Sequence, residues 1–195
     1  TKKGNVYSVS FRKIRFHGDM LRRILRYGMP AGIQNSVIGL ANVIVQTQIN
    51  SFAKLAMAAY GSQSKIEGFA FMPITSFSMA ITTFIGQNYG AGKYDRMKKG
   101  MWVTLFMGIV YTVLTGILLL TFSGQIMRLF SEDVGVIAYG QTAMRYFCPF
   151  YWILAILHSL AGTVRGTGKS IPPMVVLLVS LCLFRIVWIQ FVLPY

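Results

Sequence analysis

The chain has 195 residues, 54% of them hydrophobic and only 12% charged, with a net charge of +14. A soluble domain carries about 25% charged residues, so a water-facing globule is excluded. Five long charge-free runs, Met29–Ala53, Gly68–Gly92, Met101–Phe122, Tyr146–Val164 and Ser170–Phe184, also exclude a lone signal peptide, since roughly 20 apolar residues suffice to cross a 30 Å hydrocarbon core.

The fold class expected is therefore all-α, a polytopic helical membrane protein with five transmembrane helices. Residues 1–16 are polar and basic, with Val6, Phe11, Ile14 and Phe16 interspersed. The stretch HGDMLRRILRYGMP then places Met20, Leu21, Ile24 and Leu25 on one helical face and Arg22, Arg23 and Arg26 on the other. Such a helix suits the headgroup layer, so residues 1–28 are expected to be a cytoplasmic linker carrying an amphipathic helix. The transmembrane lobe then runs over 29–195. Helix A is predicted at about 29–52, with Pro30 in its first turn, and helix B at 66–87, with Pro73 in its second turn. Helix C is predicted at 101–122. Helix D, at 136–164, should kink at Pro149, which lacks an N–H for the carbonyl of Arg145. Helix E is predicted at 172–193. The start at Thr1, the long basic lead and the odd number of spans suggest a piece of a longer transporter that lacks a sixth helix.

The charges follow the loops. Fourteen of the nineteen Lys and Arg lie ahead of helix A, between B and C (Lys93, Arg96, Lys98, Lys99) or between D and E (Arg165, Lys169). Lys54, Lys65 and Arg128 occupy the opposite loops, and Arg145 and Arg185 fall inside spans. By the positive-inside rule, residues 1–28 and loops 88–100 and 165–171 face the cytoplasm of a plasma (inner) membrane. Basic inner loops suit anionic headgroups. The lipid bilayer, and no nucleic acid, is the partner this charge implies.

Polar groups inside the spans are costly unless they meet another helix or a wet cavity. On helix A, Asn35, Gly39, Asn42, Gln46 and Asn50 share an arc of about 80°. Two readings are open: hydrogen bonds between helices, or one wall of a substrate pathway. Four amides on one face favour the second. Helix B adds Ser78 and Thr82. Glu67, at the outer end of helix B, is either a carboxylate stabilised by a helix N-terminus or an ion-coupling group. Arg145 and Arg185 are expected to pair within the fold rather than touch substrate. His158 reads as a neutral, packed core residue, and Cys148 and Cys182 as small packing residues.

No catalytic or metal-binding constellation is visible, so an enzyme is not expected. GTGKS, at 166–170 of AGTVRGTGKSIPP, fails as a phosphate loop. A P-loop needs a glycine where Thr163 stands and a preceding strand. The segment reads instead as a cytoplasmic turn, with Gly166 and Gly168 allowing the reversal and Ser170 capping helix E.

Three motifs carry a resemblance: YGMPAGIQN opening helix A, GQNYGAGKYDR after helix B and GTVRGTGKSIPPM between D and E. Over nearly its whole length the chain is similar to the MATE family, the multidrug and toxic compound extrusion transporters. The resemblance implies the C-terminal half of a twelve-helix protein, from the inter-lobe linker through helices seven to eleven. It also implies small organic, cationic substrates held in a central cavity against an N-terminal lobe of the same protein. Exchange would run against Na+ or H+ by alternating access, with no other cofactor. Gly86, Gln87, Asn88, Gly90, Asp95 and Arg96, with Arg165, Gly166 and Gly168, would form inner-face segments that change during transport. Some branches carry coupling carboxylates in the seventh and tenth helices, where this chain has Ile38 and Leu154. Glu67 or the missing half must then supply the acid. The alternatives are a lipid-linked oligosaccharide flippase of the same superfamily and a non-transporting membrane scaffold.

Overall fold

A computed structural model describes residues 17–50, 54–184 and 187. Residues 1–16, Arg185 and most of the predicted end of helix E lie outside the described residues. The chain is all-α and polytopic. Its elements are α1 (Gly18–Ile49), α2 (Lys54–Gly90), α3 (Tyr94–Thr121), α4 (Ser123–Arg128), α5 (Val134–Phe147), α6 (Tyr151–Gly166) and α7 (Ile171–Leu177). A 3-10 turn, Cys148–Phe150, joins α5 to α6, and a π-helical stretch, Leu178–Leu183, continues α7.

The five predicted spans need correction. Among the described residues three helices are long and apolar enough to cross a membrane: Lys54–Gly90, Tyr94–Thr121 and the kinked Val134–Gly166. α1 has the length, but its amides and arginines dilute its apolar character. The last apolar helix is described only over Ile171–Leu183, too short to span by itself. The helices also outrun their predicted bounds. The amphipathic stretch and helix A form one continuous α1, so Pro30 sits inside the helix, not in its first turn. Pro73 is likewise deep inside α2. Charge-free windows mark the hydrocarbon crossing, whereas the helices continue into the headgroup layers on either side. At Pro149 the expected interruption is present, as the 3-10 turn.

Local chemistry sets several boundaries. Asp133 Oδ1 accepts from the backbone N–H of Gly135 (2.7 Å) and Val136 (3.4 Å), capping α5. Gly92, with φ of 69°, turns the chain from α2 into α3, and Gly168, with φ of 84°, turns it from α6 into α7. Ser170 occupies the N-cap position of α7, but its side chain makes no cap bond; the Pro172–Pro173 pair starts that helix.

The lobe is built around α6, which packs against α2 and α3. Small residues let the backbones approach, as in many membrane bundles. Gly162 and Gly166, one turn apart, lie against Ile81, Ile85 and the Ser78 and Thr82 carbonyls of α2. Gly108, Thr112 and Gly116 form the buried edge of α3. On the far side, Trp102, Phe106, Val110, Leu114 and Ile117 are exposed. An apolar face of that extent is what lipid contact requires.

Candidate substrate cavity and carboxylate site

α1 meets the lobe through Gln34, Ala41 and Val45, the buried residues of that helix. Each is followed by a predicted amide: Asn35, Asn42 and Gln46. One residue is a 100° step around the helix, so the amide stripe borders the packed face instead of lying within it. Asn35, Asn42 and Asn50 are exposed and Gln46 is half-buried. Gln46 Nε2 donates to Asn50 Oδ1 at 2.9 Å, a bond within the helix.

Two cavities open along this border. One, of about 440 Å³, is lined by Gln34, Asn35, Ser78, Thr82, Thr83 and Arg165 among others. The other, of about 390 Å³, includes Asn42, Phe71, Leu154, Ser180 and Cys182. Ile38, Thr75, His158 and Leu181 belong to both walls, so the two are contiguous. The structure thus brings Asn35, Asn42, Ser78 and Thr82 to one continuous space. Gln46 and Asn50 line neither part.

Ser78 and Thr82 do two jobs. Ser78 Oγ donates to the carbonyl of His158 (2.9 Å), and Thr82 Oγ1 donates to the carbonyls of Ser78 (2.7 Å) and Gly162 (3.0 Å). Their hydroxyl hydrogens hold α2 to α6, while their oxygens can still accept from the cavity.

His158 is the residue that sequence reading missed. It is half-buried on the shared wall, not packed in the core. Its Nδ1 is 2.9 Å from the carbonyl of Leu154. A carbonyl can only accept, so Nδ1 carries the hydrogen of this contact. Its spacing from Leu154 and Arg165, four and seven residues along α6, was the available signal.

Glu67 is far from either end of α2, so stabilisation by a helix N-terminus does not account for it. Its Oε1 accepts from Gln63 Nε2 at 3.1 Å and from Tyr151 Oη at 3.2 Å. Both donors belong to buried residues. The Phe71 ring meets Tyr151 edge to face, with centroids 5.0 Å apart, and also lines the smaller cavity. Phe71 therefore links the Tyr151 ring, the carboxylate's donor, to the cavity wall. Ile38 and Leu154, where related carboxylates would be expected, are apolar parts of the same wall. Among the described residues no group of three His, Cys, Asp or Glu could hold a metal ion.

The inner-face segments differ in detail from their reading as loops. Gly86, Gln87, Asn88 and Gly90 are helical, in the last turns of α2, and Asp95 and Arg96 open α3. Asn88 is buried, its Nδ2 donating to the Phe84 carbonyl at 2.8 Å, and its own carbonyl accepts from the Lys93 N–H at 2.9 Å. Gly166 is a packing contact at the end of α6, not a turn residue. Arg165 Nη2 donates to Gln34 Oε1 at 3.0 Å, tying α6 to α1. Arg145 is exposed on α5 and lines neither cavity.

The MatE family model matches residues 30–189, most of the chain. The chain belongs to the MatE family. A probable multidrug resistance protein NorM of Thermotoga maritima is 27% identical over 165 residues, covering 85% of this chain and 36% of that protein. A probable multidrug resistance protein YoeA of Bacillus subtilis is 26% identical, again covering 85% of this chain and 36% of the relative. The chain thus spans about a third of the curated relatives it matches. Among solved structures, an outward-facing multidrug resistance MATE family transporter of the MOP superfamily superposes with a TM-score of 0.84 at 16% identity, over 97% of this chain and 44% of that one.

Proposed function

We propose that this MatE chain is one lobe of a secondary active transporter that exports small organic compounds in exchange for Na+ or H+ by alternating access. The observation that carries the reading is the contiguous cavity between α1, α2 and α6, walled by Asn35, Asn42, Thr75 and Ser78. It lies at the edge of α1 that the lobe leaves unpacked. A second lobe, N-terminal in the same protein, closes that edge. Residues 1–28 link the lobes on the cytoplasmic side of the inner membrane, where loops 88–100 and 165–171 also lie.

The amides offer hydrogen bonds of either sense to varied substrates, which suits broad specificity. Preference for cations rests on Glu67 and on groups of the other lobe. Glu67 is the coupling carboxylate of this lobe. Gln63 and Tyr151, both donating to its Oε1, hold the carboxylate in place.

The test is exchange by the full-length transporter in proteoliposomes. Asn42→Leu combined with Thr75→Val should cut substrate flux at least tenfold at unchanged expression. Flux equal to that of the wild type would remove the cavity assignment.

A further inference from the structure

A groove of about 510 Å³ runs between α2 and α3, on the basic side of the lobe. Its walls are Ala80, Ile81 and Phe84 of α2 and Val103 and Thr104 of α3, with Arg96 and Lys99 at one end. No acidic residue lines it. Arg96 and Lys99 are one turn apart and exposed, so they present two cations on one face. From Arg96 to Val103 the helix rises about 10 Å, and over that distance the wall changes from doubly basic to apolar. Gly100 makes the shape possible: the Phe84 ring lies against it, and a Cβ there would collide with the ring.

The groove does not belong to the substrate cavity. On α2, Ala80 and Phe84 each lie two residues, or about 200° around the helix, from Ser78 and Thr82, which line that cavity. Beside it, Trp102, Val103 and Phe106 stand exposed as a lipid-facing surface. A ligand entering here comes from the bilayer, and it must carry an anionic head above an apolar tail.

We infer that this groove is a binding site for one anionic phospholipid of the inner leaflet, its phosphate held by Arg96 and Lys99 and an acyl chain laid along Ala80, Phe84 and Val103. Its place beside the α2–α3 turn means that a bound lipid bridges the two helices at the inner face. A free phosphate satisfies only the basic end, and a zwitterionic lipid brings its own ammonium against the two cations.

The experiment is native mass spectrometry of the full-length protein released from detergent with added phosphatidylglycerol, with phosphatidylcholine as the comparison. The wild type should retain phosphatidylglycerol preferentially, and Arg96→Gln with Lys99→Gln should weaken it by roughly 10- to 30-fold, the effect of two cations at a membrane surface. Ala80→Trp keeps both charges but fills the groove, and should also lose the adduct. Arg128→Gln, a cation outside the groove, should leave it unchanged, and excess glycerol phosphate should not displace it. Equal retention of the two lipids, or retention by Ala80→Trp equal to wild type, would overturn the site. Displacement by glycerol phosphate would overturn the lipid as its occupant. Thermal unfolding of each variant separates lost binding from lost fold.

Discussion

Glu67 illustrates what single residues contribute. Both of its hydrogen bonds fall on Oε1, one from a residue a single turn away and one from a residue 84 positions along the chain. A hydrogen bond to a charged group contributes about 1.5–3 kcal/mol, and a neutral one about 1 kcal/mol. Tyr151→Phe keeps the ring that meets Phe71 and removes only the hydroxyl. It should lower unfolding stability by about 1–2 kcal/mol, read by denaturant titration in micelles. In a double-mutant cycle with Glu67→Leu, which removes the acceptor, the losses should not add, because each change breaks the same bond. Additive losses would mean that the bond contributes nothing. The sequence marked Glu67 because it was the acid beside an apolar run. Gln63 was readable as its helical neighbour, but Tyr151 was not: only the packing of α6 on α2 brings it there. His158 was misread for a related reason, since a lone histidine on an apolar helix gives no sign of which face the lobe leaves open.

At the scale of the element, the α2–α6 contact shows why some of the fold was legible and some was not. Hydropathy windows located the three long apolar helices, Lys54–Gly90, Tyr94–Thr121 and Val134–Gly166, and Pro149 located the break in helix D. The windows could not give helix ends, because the helices persist beyond the charge-free core. α4 was also invisible, since Ser123–Arg128 follows an apolar run without any change of pattern. The helix pairing was partly readable in GTVRG, two glycines at a spacing of four. Gly162 has no room for a side chain: a Cβ would lie 2.7 Å from the Ser78 carbonyl oxygen and 2.8 Å from Ile81 Cγ2. Gly162→Leu should therefore separate the helices, break the Thr82 bond to the Gly162 carbonyl, and cost about 1–3 kcal/mol or more by overpacking. Fluorescence-detected size exclusion after a heat step would read this as a lower midpoint and a smaller monodisperse peak. An unchanged midpoint would show that the two helices can separate without penalty.

Across the whole molecule, α1 is held differently from the rest. α2, α3 and α6 interlock through glycines and hydroxyl–carbonyl bonds, whereas α1 rests on α7 and the π-helical stretch and is tied to α6 by the Gln34–Arg165 bond. The Tyr27 hydroxyl also approaches Gly168 in the α6–α7 turn. α1 carries the amides and borders the cavity, so the cavity wall it forms is the one least locked into the lobe. Stability in a folded chain is local, and regions with few buried contacts open most readily. Backbone amides of α1 should consequently exchange with deuterium faster than those of α2 and α6, although all are helical. Arg165→Gln removes the charged donor while leaving the cavity lined. It should speed α1 exchange by about tenfold, the effect of losing a bond of about 1.4 kcal/mol, and leave α3 unchanged. If exchange rose equally in every helix, Arg165 would be holding the whole lobe together rather than anchoring the one cavity wall that α1 forms.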